Sequence, residues 1–188
     1  MKIFSLAVIA IIAVAPVAAA QVNGSDNGGV ITTGSGIAGG IFVPMGAGTA
    51  SVPVSAGVAS AISGAATTVQ AQLSAGSLTN VITGSPISAG AQANVLNMMA
   101  GSSTPEARAA VLSALQASGA PSQAITVLMQ NITNLLTNPT PGQVQAAVVA
   151  FNEIVKSASA EFLANAPGEF QAIHAALQSI VTSAARAR

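Results

Sequence analysis

His174 is the chain's only histidine, and histidine is the side chain whose ordinary pKa lies nearest neutral pH. A general base or a metal ligand needs partners, and the sequence holds no Cys, no second His and no carboxylate four residues from His174. Gln171 and Gln178 lie within helical reach of it. We therefore expect a histidine at the margin of a helix's apolar stripe, hydrogen-bonded to a glutamine or to water, with no catalytic or metal-binding role.

Glu153 and Glu161 are the closest approach in the chain to the acid pair of a glycoside hydrolase. They fall on one predicted helix, whereas such a pair faces its substrate across a cleft. The chain has no Trp and no Tyr, the side chains on which sugars stack. A serine nucleophile would have to use His174 with Asp26, and Asp26 stands in the glycine-rich front of the chain. We predict no catalytic residues and no enzymatic activity.

The run Gly34-Ser35-Gly36-Ile37-Ala38-Gly39 has the spacing of the dinucleotide-binding glycine motif. That motif requires a following helix and an acid about 20 residues further on, and neither pattern is present. Gly36 and Gly40 also have the Gly-xxx-Gly spacing that lets membrane helices approach closely. Pro44 and Pro53 interrupt any apolar helix of spanning length there. The sequence therefore predicts no cofactor site.

Charged side chains are rare in this chain, and one long stretch has none. Between Asp26 and Glu106, 79 consecutive positions (27–105) carry no charged side chain. The chain is 5% charged, whereas an ordinary soluble domain is about a quarter charged. Such a surface gives little electrostatic repulsion between molecules. Five basic and five acidic residues also form no basic patch for phosphates, so we expect no nucleic-acid partner.

The first twenty residues have the pattern of a secretory signal peptide. Lys2 precedes an apolar run over 3–15, and Ala18-Ala19-Ala20 precedes Gln21. We predict cleavage after Ala20 and a secreted, cell-surface or periplasmic protein, with an uncleaved anchor as the alternative. The apolar run is shorter than the roughly 20 residues of a transmembrane helix, so we expect no spanning helix after cleavage. Without Cys, the exported chain must be stabilised by a packed core.

Glycine separates the rest of the chain into parts. Nine of the 18 glycines fall between Gly24 and Gly48, which predicts a flexible, uncharged segment over 21–54. We expect this segment to be mostly disordered, with weak pairing of its short β-prone runs as the alternative. An Ala/Ser-rich, weakly helical region follows over 55–102, with a short helix that Ser88 caps and Gly101 ends. The predicted helical bundle occupies 103–188.

Four prolines mark the first turns of the predicted bundle helices, where a missing N–H costs nothing and the fixed φ is helical: Pro105, Pro121, Pro141 and Pro167. Thr140 and Gln143 have the spacing of a capping box. Glu106 and Glu169 stand in predicted first turns, where the helix dipole favours an anion, and Arg186 and Arg188 stand at a predicted C-terminal end, where it favours a cation. These signals place the helix ends.

The helix from Pro141 is expected to continue through Phe162, with an apolar seam at Val144, Val148, Phe151, Val155, Ala158 and Phe162. Glu153 and Lys156 should pair weakly on its outer side. A turn over 165–168 should join it to the last helix as an antiparallel hairpin, with Phe162 against Phe170. The fold class is therefore all-α: an antiparallel helical bundle of four to five helices, preceded by a Gly-rich, largely disordered N-terminal segment.

The sequence favours an exported, non-enzymatic protein with a structural or adhesive role at a cell surface or in an extracellular matrix. Self-association or binding to cell-surface components is the expected partnership, because an uncharged surface resists adsorption poorly. One alternative is a membrane-active protein that inserts its uncharged tract into lipid. Another is a small-ligand carrier that uses the bundle interior. The layout, a low-complexity tract beside a helical bundle, is similar to that of silk-type proteins, and no motif specifies a family.

Overall fold

The computed structural model describes residues 56–187, and its regular secondary structure is helical. Seven helices follow one another in this range: α1 (Ala56–Ser74), α2 (Ala89–Met99), α3 (Pro105–Gln116), α4 (Ser122–Ile132), α5 (Pro141–Ser157), α6 (Ala160–Ala164) and α7 (Gly168–Arg186). One isolated antiparallel bridge joins Thr79 to Pro86, and no strand occurs among these residues. The all-α prediction is confirmed for this part of the chain.

Several predictions fall on positions outside the described residues. These are the signal peptide (1–20), the glycine-rich segment (21–54), the dinucleotide-like glycine run within it, and Arg188. They stay predictions.

The helix starts follow local chemistry that the sequence displays. Thr104 accepts a hydrogen bond from the Ala107 N–H at 3.2 Å and caps α3, and Ser88 caps α2 in the same way. Glu106 and Glu169 lie in first turns, and Arg186 lies in the last turn of α7, as predicted. Each of the four prolines stands either at the first helical residue or at the N-cap before it: Pro105, Pro121, Pro141 and Pro167.

The capping box predicted at Thr140 and Gln143 forms in one direction only. The Thr140 hydroxyl accepts from the Gln143 N–H at 3.2 Å, as expected. The Gln143 side chain turns instead towards the end of α4, where its Nε2 donates to the carbonyls of Asn131 (2.9 Å) and Thr133 (3.2 Å). The last carbonyls of a helix lack intrahelical donors. Gln143 therefore ties two helices together rather than closing its own cap.

The prediction of a single helix from Pro141 to Phe162 is wrong, because the structure divides this range into α5 and α6. Ala158 adopts extended dihedral angles (φ −75°, ψ 144°) directly after α5. The hydroxyl of Ser159 then accepts from the Phe162 N–H at 3.1 Å and caps α6. A serine offers the backbone this local alternative to a continuing helix. The spacing of apolar residues carries no information about such a break.

The packing partners also differ from the predicted hairpin. α7 packs mainly against α1, and α5 packs mainly against α4, while α5 and α7 share a smaller contact. The predicted Phe162–Phe170 contact is confirmed, with ring centroids 5.1 Å apart and the rings edge to face. Helices on both sides of position 102 contribute to the same hydrophobic core, which extends from Ile62 in α1 to Ala184 in α7.

Candidate functional site

His174 lies inside the core rather than at its margin. Its side chain is 7% exposed, and its ring stacks on Phe151 with centroids 5.5 Å apart and planes 9° apart. Gln171, one of its expected partners, donates its amide to the Ala166 carbonyl at 2.7 Å instead. The prediction of a boundary histidine is wrong, because α7 contacts α1, α2, α3 and α5 and buries a wider stripe than its spacing indicates.

Burial also sets the protonation of His174. Desolvation lowers the pKa of the imidazole from 6.5 to about 4, since the charged ring would have to leave water. At neutral pH the ring is therefore neutral and packs like an aromatic side chain. Its measurable consequence is a pH-dependent stability.

The carboxylates considered for catalysis lie on the outside. Glu153 is exposed and accepts from Lys156 Nζ at 2.7 Å, so the predicted ion pair is present. Both side chains are more than half exposed, so the pair contributes little to stability. Glu161 is exposed on α6. Within residues 56–187, no cluster of three or more His, Cys, Asp or Glu side chains is arranged to hold a metal ion.

The connection between α1 and α2 carries two exposed aliphatic side chains. Val81 is 49% exposed and Ile82 is 58% exposed, and they are the large hydrophobic side chains that the described part of the chain exposes. We call residues 79–86, which contain this pair, the tip. These residues lie within the region 55–102 that the sequence predicts to be weakly helical. The adjacent Val-Ile pair was the signal that could have identified a surface feature.

Hydrogen bonds hold the tip in one conformation. The Asn80 N–H donates to the Ser85 carbonyl, and the Gly84 N–H donates to the Asn80 carbonyl, both at 2.8 Å. The Asn80 side-chain oxygen accepts from the Ile82 N–H at 2.9 Å, which is the local bond that favours Asn in turns. Gly84 has a φ of +69°, a region that glycine adopts without steric cost. The aliphatic pair is therefore presented by an ordered turn.

Gln92 anchors both ends of the tip from inside α2. It is a polar side chain with no exposed area, and its Oε1 accepts from the Leu78 N–H at 2.9 Å. Its Nε2 donates to the carbonyls of Leu78 (3.1 Å) and Ile87 (2.8 Å). All these groups lie in the core and are satisfied by one another. Sequence reasoning missed this residue because a glutamine in an Ala-rich helix is typical of an exposed position.

An apolar groove of about 520 Å³ lies between α4 and α5. We call it the α4/α5 groove, and its lining consists mainly of small apolar side chains: Ala124, Val127, Ala146, Val149 and Ala150. Glu153 is the charged residue of the lining. The volume lies within the range of roughly 300–1,000 Å³ that is typical of binding pockets. The groove can therefore accept an aliphatic group of considerable size.

A second hollow of about 510 Å³ lies between the tip and α7, and its lining is mostly polar. Arg186 is its charged residue, and none of its lining residues is His, Cys, Asp or Glu. The side-chain oxygen of Gln72 is buried there without a hydrogen-bond partner among the described residues. This hollow favours hydrogen-bonding groups, whereas the α4/α5 groove favours apolar ones.

No helix in the range 56–187 combines the length and the apolar character that crossing a membrane requires. Comparisons of the chain with protein-family models, with curated proteins and with solved structures find no match. Function is therefore inferred from the chemistry and geometry of the chain itself.

Proposed function

We propose that the chain is an exported, non-enzymatic protein with a structural or adhesive role at a cell surface or in an extracellular matrix. The observation that carries this proposal is the exposure of apolar features on a surface almost without charge. Val81 and Ile82 project from the tip, and the α4/α5 groove presents a concave apolar face. Exposed apolar patches favour association, and little repulsion opposes it in a chain that is 5% charged.

The expected layout supports such a role. A signal peptide cleaved after Ala20 directs the chain out of the cell, to the surface, the periplasm or the surroundings. We propose that the uncharged, glycine-rich segment 21–54 links the chain's exported end to the helical region, and that this region forms an antiparallel bundle of four to five main helices. The environment of His174 is consistent with a non-enzymatic protein, because its neutral ring packs against Phe151 in the core.

Fractionation of cells that secrete the full chain tests this proposal. We expect a mature chain that begins at Gln21 and is retained at the surface or in the insoluble extracellular material. Washing with about 1 M NaCl, where the Debye length is only about 3 Å, should leave it bound, because the association is apolar. A non-ionic detergent should release it. A chain found only as free protein in the culture fluid would contradict the proposal.

A membrane-active protein is the second candidate, and the exposed aliphatic pair at the tip is the observation that favours it. Flotation with neutral phosphatidylcholine vesicles separates the two functions. The structural role predicts that the mature chain stays in the aqueous fraction. Co-flotation that is lost in an Ile82→Glu variant would instead support membrane contact through the tip.

A small-ligand carrier is the third candidate, favoured by the volume of the α4/α5 groove. Its position differs from the bundle interior that the sequence suggested, because it opens on the surface between two helices. Thermal melting in the presence of a medium-chain fatty acid tests it, since a ligand that binds the folded state raises the melting temperature. The structural role predicts no shift.

A further inference from the structure

We propose that the chain associates with itself head to tail, with the tip of one copy seated in the α4/α5 groove of the next. This inference rests on the proposed structural role, for which it names the partner as a second copy of this chain. The tip belongs to the connection between α1 and α2, and the groove belongs to α4 and α5. The two surfaces are therefore different patches, and each copy carries one of each.

The shapes and chemistry of the two surfaces match. Ile82 is 58% exposed, and Val81 beside it is 49% exposed and also lines the polar hollow next to α7. The groove between α4 and α5 is concave, and small side chains such as Ala146 and Ala150 leave it open to about 520 Å³. Both surfaces expose apolar area to water when they are separate, and contact removes that area from water, so the hydrophobic effect favours contact.

The distribution of charge favours a second copy over a charged partner. The tip, residues 79–86, contains no charged side chain. The groove's charged residue, Glu153, is already paired with Lys156 at 2.7 Å. A neutral aliphatic tip therefore meets no uncompensated charge in the groove, whereas an acidic or basic partner finds no free counter-charge in its lining.

The tip is also prepared for contact before it binds. The Asn80 turn and the Gln92 anchor hold residues 79–86 in place, so little conformational entropy is lost on docking. Val81 and Ile82 remain exposed in the single chain, so the tip does not fill the groove of its own molecule. The tip of a second copy is therefore free to occupy it.

Three single substitutions that each add one glutamate test the contact. Ile82→Glu changes the tip, Ala146→Glu changes the groove, and Ala109→Glu changes an exposed position on α3 outside both surfaces. Sedimentation of the full mature chain over a range of concentrations measures association. We expect the parent and Ala109→Glu to associate alike. A buried, unpaired carboxylate should weaken association at least about tenfold in each of the other two.

Mixing the two defective variants provides the sharper result. Ile82→Glu retains an intact groove and Ala146→Glu retains an intact tip, so an equimolar mixture should form a heterodimer and nothing larger. Circular dichroism melting verifies that each variant is folded, and Val149→Glu replaces Ala146→Glu if the latter is not. A parent chain that remains monomeric at every concentration, or a mixture that forms no heterodimer, would overturn the proposal.

The competing occupant of the groove is the uncharged segment 21–54 of the same chain. If that segment fills the groove, Ala146→Glu and deletion of 21–54 should change the association measured by sedimentation to the same extent. Ile82→Glu should then leave the association unchanged. This result would overturn head-to-tail association and leave the structural role intact. Conversely, a parent that associates as described but is recovered as free protein from culture fluid would contradict the structural role and support the contact.

Discussion

At the scale of single residues, the core decides what the titratable and aromatic side chains can do. His174 and Phe151 stack in parallel, and Phe151 also contacts Phe170 with ring centroids 4.9 Å apart. The sequence placed Phe151 on the apolar seam of the helix from Pro141, which predicts its burial. It did not identify the burial of His174, because burial depends on how many helices surround α7.

Acid should destabilise the protein through His174. The unfolded ring takes up a proton near pH 6.5, whereas the folded ring resists protonation until about pH 4. The free energy of unfolding should therefore be unaffected by this group above pH 6.5 and fall as the pH is lowered towards 4. By pH 5 the loss is about 2 kcal/mol. Urea unfolding at pH 7.5 and pH 5 measures it.

The matched control for this prediction is His174→Gln, which removes the titrating group. That variant should lose less stability than the parent between the same two pH values, although it is less stable at pH 7.5. Equal losses in the two proteins would contradict a buried, neutral His174.

Truncation of Phe151 to Ala should cost about 3 to 5 kcal/mol of unfolding free energy, because the ring is fully buried and leaves a cavity. Phe162→Ala should cost less, since Phe162 is only half-buried at the edge of the cluster. The cavity beside His174 should also admit water and raise the imidazole pKa towards 6.5. Denaturant unfolding and an NMR titration of the ring measure the two effects. Equal costs for the two phenylalanines would contradict the packing described.

At the scale of elements, local signals predicted the helix starts, and tertiary contacts determined the rest. Thr104, Thr140 and the four prolines act within one turn of chain, so their roles are readable from sequence. The predicted helix breaks before Ser159, although the apolar spacing of the sequence continues past that residue and predicts no break. The pairing of α7 with α1 joins segments about a hundred residues apart, which no local pattern specifies.

Two glycines should respond in opposite directions to the same substitution. In Gly64→Ala, the added methyl group meets nothing within 4 Å in the middle of α1, so helix propensity should stabilise the protein by about 0.5 to 1 kcal/mol. In Gly168→Ala, the methyl group would lie 2.8 Å from the Ala91 Cβ, where α7 approaches α2. Overpacking there should destabilise it by about 1 to 3 kcal/mol. Melting temperatures of both variants test this, and a rise in both would contradict the close approach.

Gln92→Leu should loosen the tip. The substitution leaves the Leu78 N–H and the Ile87 carbonyl without their partner, at a cost of about 1 to 3 kcal/mol for each, while the Leu78 carbonyl keeps its hydrogen bond from the Ile87 N–H at 3.4 Å. Hydrogen exchange at residues 79–86 should accelerate more than exchange in α5. Gln130→Leu, at an exposed position on α4, is the control and should leave hydrogen exchange unchanged both at residues 79–86 and in α5. Uniform acceleration over the chain would indicate global destabilisation instead of a local anchor.

At the scale of the whole molecule, composition predicted the fold class but not the surfaces. Many Ala, Leu and Gln residues with helical spacing were enough to indicate an all-α chain. The α4/α5 groove is lined by small side chains from two helices, among them Ala124 on α4 and Ala146 on α5, and this combination is not contained in either helix alone. The tip was hidden for a different reason, since Val81 and Ile82 have the composition of a core segment yet stand in a turn.

The near absence of charge predicts how the whole molecule responds to salt. Association of the mature chain should change little between low and moderate NaCl, because few charges are available to be screened. Ammonium sulfate should strengthen it, since excluded salts favour burial of apolar surface. Light scattering at fixed protein concentration measures both responses. Dissociation by NaCl would contradict an apolar mode of association.

Because the tip and the groove lie at separate places on the chain, a head-to-tail assembly of copies would grow differently at its two ends. A contact between two unlike patches leaves one unused tip at one terminus of an array and one vacant groove at the other. A fibre built in this way has a direction, like an arrow, and its two termini can elongate at different speeds. The Ala146→Glu chain, which keeps an intact tip, would block one terminus alone, and this makes the direction of assembly observable.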